Sequence, residues 1–140
     1  MASKDHVAIM RKSWKMIPKI LSGQKTIESR WYMTRRPPWD MISVGDRVYF
    51  KNSGESVIAW AKVCKVMQFE LKDILDAQRI AKKYGKRICL ADPDPKDWDA
   101  TPKYCILVFL KDAKSIKKPF NIDKSGYGMG AAWMVVKSIR

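Results

Sequence analysis

Apolar positions along the chain change period several times, and each change marks an element. From His6 to Met10 they run together as a short strand, which Lys12 and Ser13 break. Trp14, Ile17, Ile20 and Leu21 then recur at helical spacing, with Ser13 placed as an N-cap and Gly23 as the C′ glycine. Pro18 should confine or kink this helix. From Lys25 to Trp31 the period becomes two, with Thr26, Glu28 and Arg30 alternating against Ile27, Ser29 and Trp31, so a half-polar strand is expected.

Thr34 to Trp39 holds two arginines and two prolines and reads as an exposed loop, followed by a turn at Gly45-Asp46. Arg47 to Lys51 and Val57 to Met67 are rich in Val, Ile, Tyr and Phe and flank a polar run, the pattern of a hairpin. Helical period returns from Leu71 to Tyr84, and Gly85 is placed to stop it. Asp73 and Asp76 early and Arg79, Lys82 and Lys83 late complement the helix dipole. Asp92 to Asp99 should be a solvated acidic loop. Tyr104 to Leu110 and Ala131 to Val136 read as further strands, with Gly126, Gly128 and Gly130 as permissive turn positions between them. Strands outnumber helices and the alternation of a doubly wound sheet is absent, so the pattern predicts an α+β domain. Its simplest form is a small barrel-like sheet of about five to six mostly antiparallel strands with two or more helices packed on it.

The 140 residues fit one domain, 1–140, with a core large enough to stand without disulfides. Cys64, Cys89 and Cys105 are odd in number and widely spaced, which matches no disulfide framework or zinc knuckle, and they read as core residues. His6 is the single histidine, which sets aside HExxH chemistry and most Ser-His-Asp triads. No metal and no cofactor is expected. No apolar run reaches the roughly 20 residues of a membrane span, and the first residues lead into no signal-peptide run, so a cytoplasmic or nuclear location is expected.

Charge changes the picture most. Lys and Arg outnumber Asp and Glu by 28 to 14, a formal charge of +14, and such an excess suits an anionic partner. Nucleic acid is the commonest one, because phosphate neutralisation releases counterions whatever the sequence. Basic groups at Arg35 with Arg36 and at Lys114, Lys117 and Lys118 could each follow a phosphodiester chain, while the longest basic run, Arg79, Lys82, Lys83, Lys86 and Arg87, is partly explained by the helix terminus. Lys111 to Lys118 could equally be a charged edge that blunts strand pairing.

The densest constellation is Gly23-Gln24-Lys25-Thr26-Ile27-Glu28-Ser29-Arg30. In an extended segment Thr26, Glu28 and Arg30 share a face, with Lys25 at its mouth. Lys and Arg donate to phosphate or a base carbonyl, while Glu accepts from an exocyclic amine or holds the Arg. A solvated Glu-Arg pair beside a turn is the plainer alternative. Among the aromatics, Trp60 and Trp133 sit in apolar strands and read as core, whereas Trp31, Trp39 and Tyr127 lie where bases could stack on them.

Gly23-x-Lys25-x-x-Glu28-x-Arg30 resembles the GxKxxExR signature of ASCH domains, members of the PUA-like superfamily of RNA-associated small barrels. The preceding strand and helix, the Val44-Gly45-Asp46-Arg47-Val48 turn into a strand, and the late segment ending in Gly130 and Trp133 are similar too. The resemblance implies a PUA-like barrel with a cleft beside the signature, lined by Lys25, Glu28 and Arg30, that binds single-stranded RNA or a nucleotide-like small ligand. Thr26, Trp31, Arg35, Arg36, Trp39 and Tyr127 complete the expected nucleic-acid surface. Some ASCH-like proteins hydrolyse an acetylated cytidine with a lysine and a threonine three positions later. Here that position is Glu28, and Thr26 would be displaced by about 7 Å along a strand. The alternatives are therefore a nucleoside- or RNA-directed hydrolase using Lys25 and Glu28, and a protein-interaction module of a translation or transcription assembly.

Overall fold

The computed structural model describes residues 3–90, 93–124, 131–136 and 139. Tyr127 and the glycines at 126, 128 and 130 lie outside them. The chain runs β1 (Asp5–Met10), α1 (Met16–Ser22), β2 (Ile27–Tyr32), β3 (Arg47–Asn52), β4 (Val57–Glu70), α2 (Ile74–Ile88), β5 (Tyr104–Phe120) and β6 (Trp133–Val136). The six strands form one sheet in the order β2-β5-β4-β3-β1-β6. Its neighbours are antiparallel except β1 and β3, which run parallel. The sheet curls into a half-barrel with two helices, so the α+β expectation holds. Among the described residues no helix is long and apolar enough to cross a membrane.

Alternation explains the layers. Inward residues such as Ala8, Val48, Phe50, Ala61, Val63, Ile106 and Val108 meet Met16, Ile17 and Ile20 of α1 in the main core. On the outer face α2 covers one end with Ala77, Ile80 and Ile88 against Ile27, Cys105, Leu107 and Phe109. The other end carries Val7, Tyr49, Val57 and Met134, with Trp60, Phe120, Ile122, Ala131 and Ile139 packed on them.

Local differences from the sequence expectation have identifiable causes. Ser13 does not cap α1; it lies in a 3₁₀ turn over Lys12–Trp14, and Lys15 at φ 55° redirects the chain before the helix starts at Met16. That start places Pro18 in the first turn, where its missing N–H costs no helical hydrogen bond. Trp14 is thereby left 45% exposed instead of joining an apolar face. Gly23, at φ 84°, ends α1 as expected.

The second helix starts three residues later than Leu71, because Asp73 caps it by accepting from the N–H groups of Leu75 and Asp76. It passes through Gly85 and stops only at Cys89, which is left-handed at φ 59°. Cys89 is thus half-buried and Cys64 exposed, so of the three cysteines expected in the core only Cys105 is buried. Trp60 is half-buried, stacked on Tyr49. The basic stretch after Leu110 continues β5 and pairs with β4 through Lys111, Lys114 and Ser115.

Candidate functional site

β2 forms one margin of the sheet, while β1 and β6 form the other. Between the margins opens a cleft of about 660 Å³, bordered by Met10, Lys25, Glu28, Arg30, Trp31 and the end of α2. Three residues of the signature set its chemistry.

Lys25 is sealed at the base. Its Nζ donates to the carbonyl oxygens of Ile27 and Ile88 and lies 3.1 Å from Glu28 Oε1. Ile88 closes α2, so the ammonium also meets the negative end of that helix. All three N–H bonds of Lys25 are directed at acceptors, which leaves none for a ligand.

Glu28 stands between two cations, with Oε2 accepting from Arg30 at 2.9 Å. Burial alone would raise its pKa, but the charges of Lys25 and then Arg30, with their hydrogen bonds, outweigh that and hold the carboxyl below its ordinary value. It therefore stays ionised as an acceptor already in use.

Arg30 is the least sealed of the three, with its side chain 12% exposed against 1% for Lys25 and 5% for Glu28. Its guanidinium reaches across the seam to the carbonyl oxygens of Ala132 at 3.2 Å and Ile9 at 3.4 Å. It also lies 5.1 Å from the ring centroid of Trp133. The Trp133 indole N–H donates to Nδ1 of His6 at 3.0 Å, so the proton of His6 sits on Nε2, 2.8 Å from Asp46 Oδ2. Asp46 accepts in addition from the backbone N–H groups of Ser43 and Lys4. Burial is the main cause that lowers the His6 pKa, opposed by its bond to Asp46 and the Asp46 charge. A chain from the partly exposed Arg30 through the buried Trp133, His6 and Asp46 thus ties the cleft to the start of β3.

The alternation expected of the signature is observed for Glu28 and Arg30, which pair with Val108 and Ile106 of β5. Thr26 does not join them. Its hydroxyl accepts from Arg87 Nε at 3.0 Å, and it lines a smaller groove between the end of α1 and β5. Trp31 lines the cleft, its N–H donated to Ser29 Oγ and its ring edge-on to Trp98 at 5.0 Å. Arg35, Arg36 and Trp39 are not brought to the cleft. Trp39 packs edge-on against Tyr104 while Arg35 lies over both rings and pairs with Glu70 at 2.7 Å. Arg36 is exposed in the same loop, and Tyr127 lies outside the described residues.

Several cleft residues escaped sequence reasoning. Trp98, with Asp97 and Asp99, comes from the loop read as merely solvated; a large aromatic among aspartates and prolines was the available signal. Arg11 and Trp14 form part of the lining, with Arg11 Cζ 4.8 Å from the Trp14 ring centroid. Among the described residues no three His, Cys, Asp or Glu side chains group as metal ligands.

No family model and no curated protein matches the chain. Solved structures do. The crystal structure of ASCH from Zymomonas mobilis is similar over 94% of this chain and 86% of its own, with a TM-score of 0.67 at 20% identity. A point mutant of that protein gives a TM-score of 0.66 at 18% identity, covering 94% and 88% of the two chains. The N-terminal domain of Staphylothermus marinus McrB covers 86% of this chain and 78% of its own, at 11% identity and a TM-score of 0.47. With the signature residues assembled at the seam of a curled sheet, and with likeness over nearly the whole chain, this protein has the fold of the ASCH structure from Zymomonas mobilis.

Proposed function

We propose that the seam cleft binds single-stranded RNA or a nucleotide-like ligand, with Arg30 facing a carbonyl or phosphate oxygen and Trp31, Trp98 and Trp14 offering surfaces for a base. The observation that carries this reading is the meeting of a partly exposed, pre-oriented guanidinium with three tryptophans in one cleft. Guanidinium supplies forked donors and the rings supply stacking, worth on the order of 1–3 kcal/mol per base. Lys25 and Glu28 act here as the support that orients Arg30. Their engagement with each other and with backbone carbonyls argues against Lys25 as base or nucleophile, and so against the hydrolase reading.

The test is fluorescence titration of a labelled single-stranded tetranucleotide into wild type, Trp14→Ala and Trp31→Ala, with chromatography of the RNA afterwards. Binding should weaken by roughly 5- to 100-fold where a stacking ring is lost, with the RNA intact. Equal binding by all three proteins would overturn the cleft assignment, and shortened or altered RNA would restore the hydrolase.

A further inference from the structure

The outer face of β4 and β5 carries a basic band between its two apolar covers. Lys65 pairs with Phe109, Lys62 with Lys111, and Trp60 with Lys114. Directly opposed residues share a face, so these lysines share the face of Phe109, which lies beneath α2, and of Trp60, which packs at the other end. Simple alternation would not bring them together. Lys62 and Lys65 are three residues apart, as are Lys111 and Lys114, and such spacing puts side chains on opposite faces. The register shifts between Val63 and Lys65, and between Trp60 and Lys62, take up one extra residue on each strand and turn all four the same way.

Lys62, Lys65, Lys111 and Lys114 are exposed, and none belongs to an ion pair found among the described residues. Like charges opposed across a ladder, as Lys62 and Lys111 are, weaken a sheet. Arg47, the next cation in the row through its pairing with Lys62, is already matched by Asp5 at 3.0 Å. At the other end Arg87 and Lys65 both lie 5.2 Å from the Phe109 ring centroid. Arg87 also donates to the hydroxyl of Thr26, and the chain neighbours of these two residues, Ile88 and Lys25, line the cleft, so the band begins one residue away from it.

We propose that Lys62, Lys65, Lys111 and Lys114, led by Arg87, form a track for the phosphate backbone of a single-stranded nucleic acid continuing beyond the cleft. The partner class rests on the cleft reading; the surface does not. Charge complementarity selects the occupant, because a row of opposed ammonium groups is relieved by closely spaced anions, and a phosphodiester chain supplies them without sequence preference. Released counterions would make this contribution steeply salt-dependent.

The test compares wild type, Lys62→Gln/Lys111→Gln and a charge-matched control, Lys72→Gln/Lys103→Gln, for binding of a tetranucleotide and of an RNA of about 20 residues, long enough to leave the cleft. For the longer RNA the plot of log K against log salt should become shallower by roughly 1.4 in Lys62→Gln/Lys111→Gln, two contacts at about 0.7 each, and remain as in wild type in the control. Tetranucleotide affinity should be the same in all three proteins. An unchanged slope in Lys62→Gln/Lys111→Gln, or an equal change in the control, overturns the track. Loss of slope together with no tetranucleotide binding by any protein would keep the track and refute the cleft.

Discussion

Lys25 Nζ and Glu28 Oε1 face each other at 3.1 Å with both side chains almost sealed from solvent. A buried pair of this kind is costly to break by halves, because the remaining partner keeps its desolvation cost. Lys25→Met also strands the carbonyls of Ile27 and Ile88, and should destabilise the fold by about 3–5 kcal/mol in urea unfolding. Adding Glu28→Gln should cost less than the two single changes summed, by about 0.5–3 kcal/mol. Strict additivity would mean that the pair is not coupled.

Acid should loosen the protein in two stages. His6 is held neutral, its pKa lowered from 6.5, so below that pH the unfolded chain takes up a proton that the folded one refuses. Its contribution is complete above 6.5 and is lost as pH falls toward the folded value. Glu28, lowered from 4.5, follows the same sign in a more acidic window. Thermal midpoints measured from pH 7.5 to 5 should fall for wild type, while His6→Gln, less stable throughout, should lose the part of the slope that begins near 6.5. A slope unchanged in His6→Gln would show that another group titrates there.

Arg30 holds the seam by bonds to Ile9 and Ala132 that a shorter cation with a single nitrogen cannot reproduce. Arg30→Lys should cost about 1.5–3 kcal/mol. Hydrogen exchange should quicken at the amide of Ile9, which donates to Ala132, before it quickens in the β4–β5 ladder. Equal acceleration everywhere would mean that the seam is not a separate weak point.

Two glycines should respond in opposite directions. Gly85 lies inside α2, where an added Cβ would meet only Leu90 Cδ1 at 3.7 Å, so Gly85→Ala should stabilise by about 0.5–1 kcal/mol. Gly23 holds φ 84° at the end of α1, so Gly23→Ala should cost about 1 kcal/mol although nothing lies near the new methyl. Denaturant midpoints of the two variants decide both, and a shift of the same sign would refute the pair.

What the sequence determined by itself is local and periodic. Alternation in β2, the apolar runs of β1, β5 and β6, the hairpin of β3 and β4 and the Gly23 stop depend on neighbours in the chain, as does the clustering of Lys25, Glu28 and Arg30 within six residues. Tertiary structure decided which of these groups meet. Trp98 and Trp14 border the signature because distant loops converge at the seam, and His6 finds Asp46 and Trp133 through strands that become neighbours only in the sheet. Gly85 stays helical because α2 is held by its packed face, so its intrinsic preference to end a helix is overridden. The same holds for Lys62, Lys65, Lys111 and Lys114: bulges, which follow from pairing between strands, turned a pattern of opposite faces into a single row.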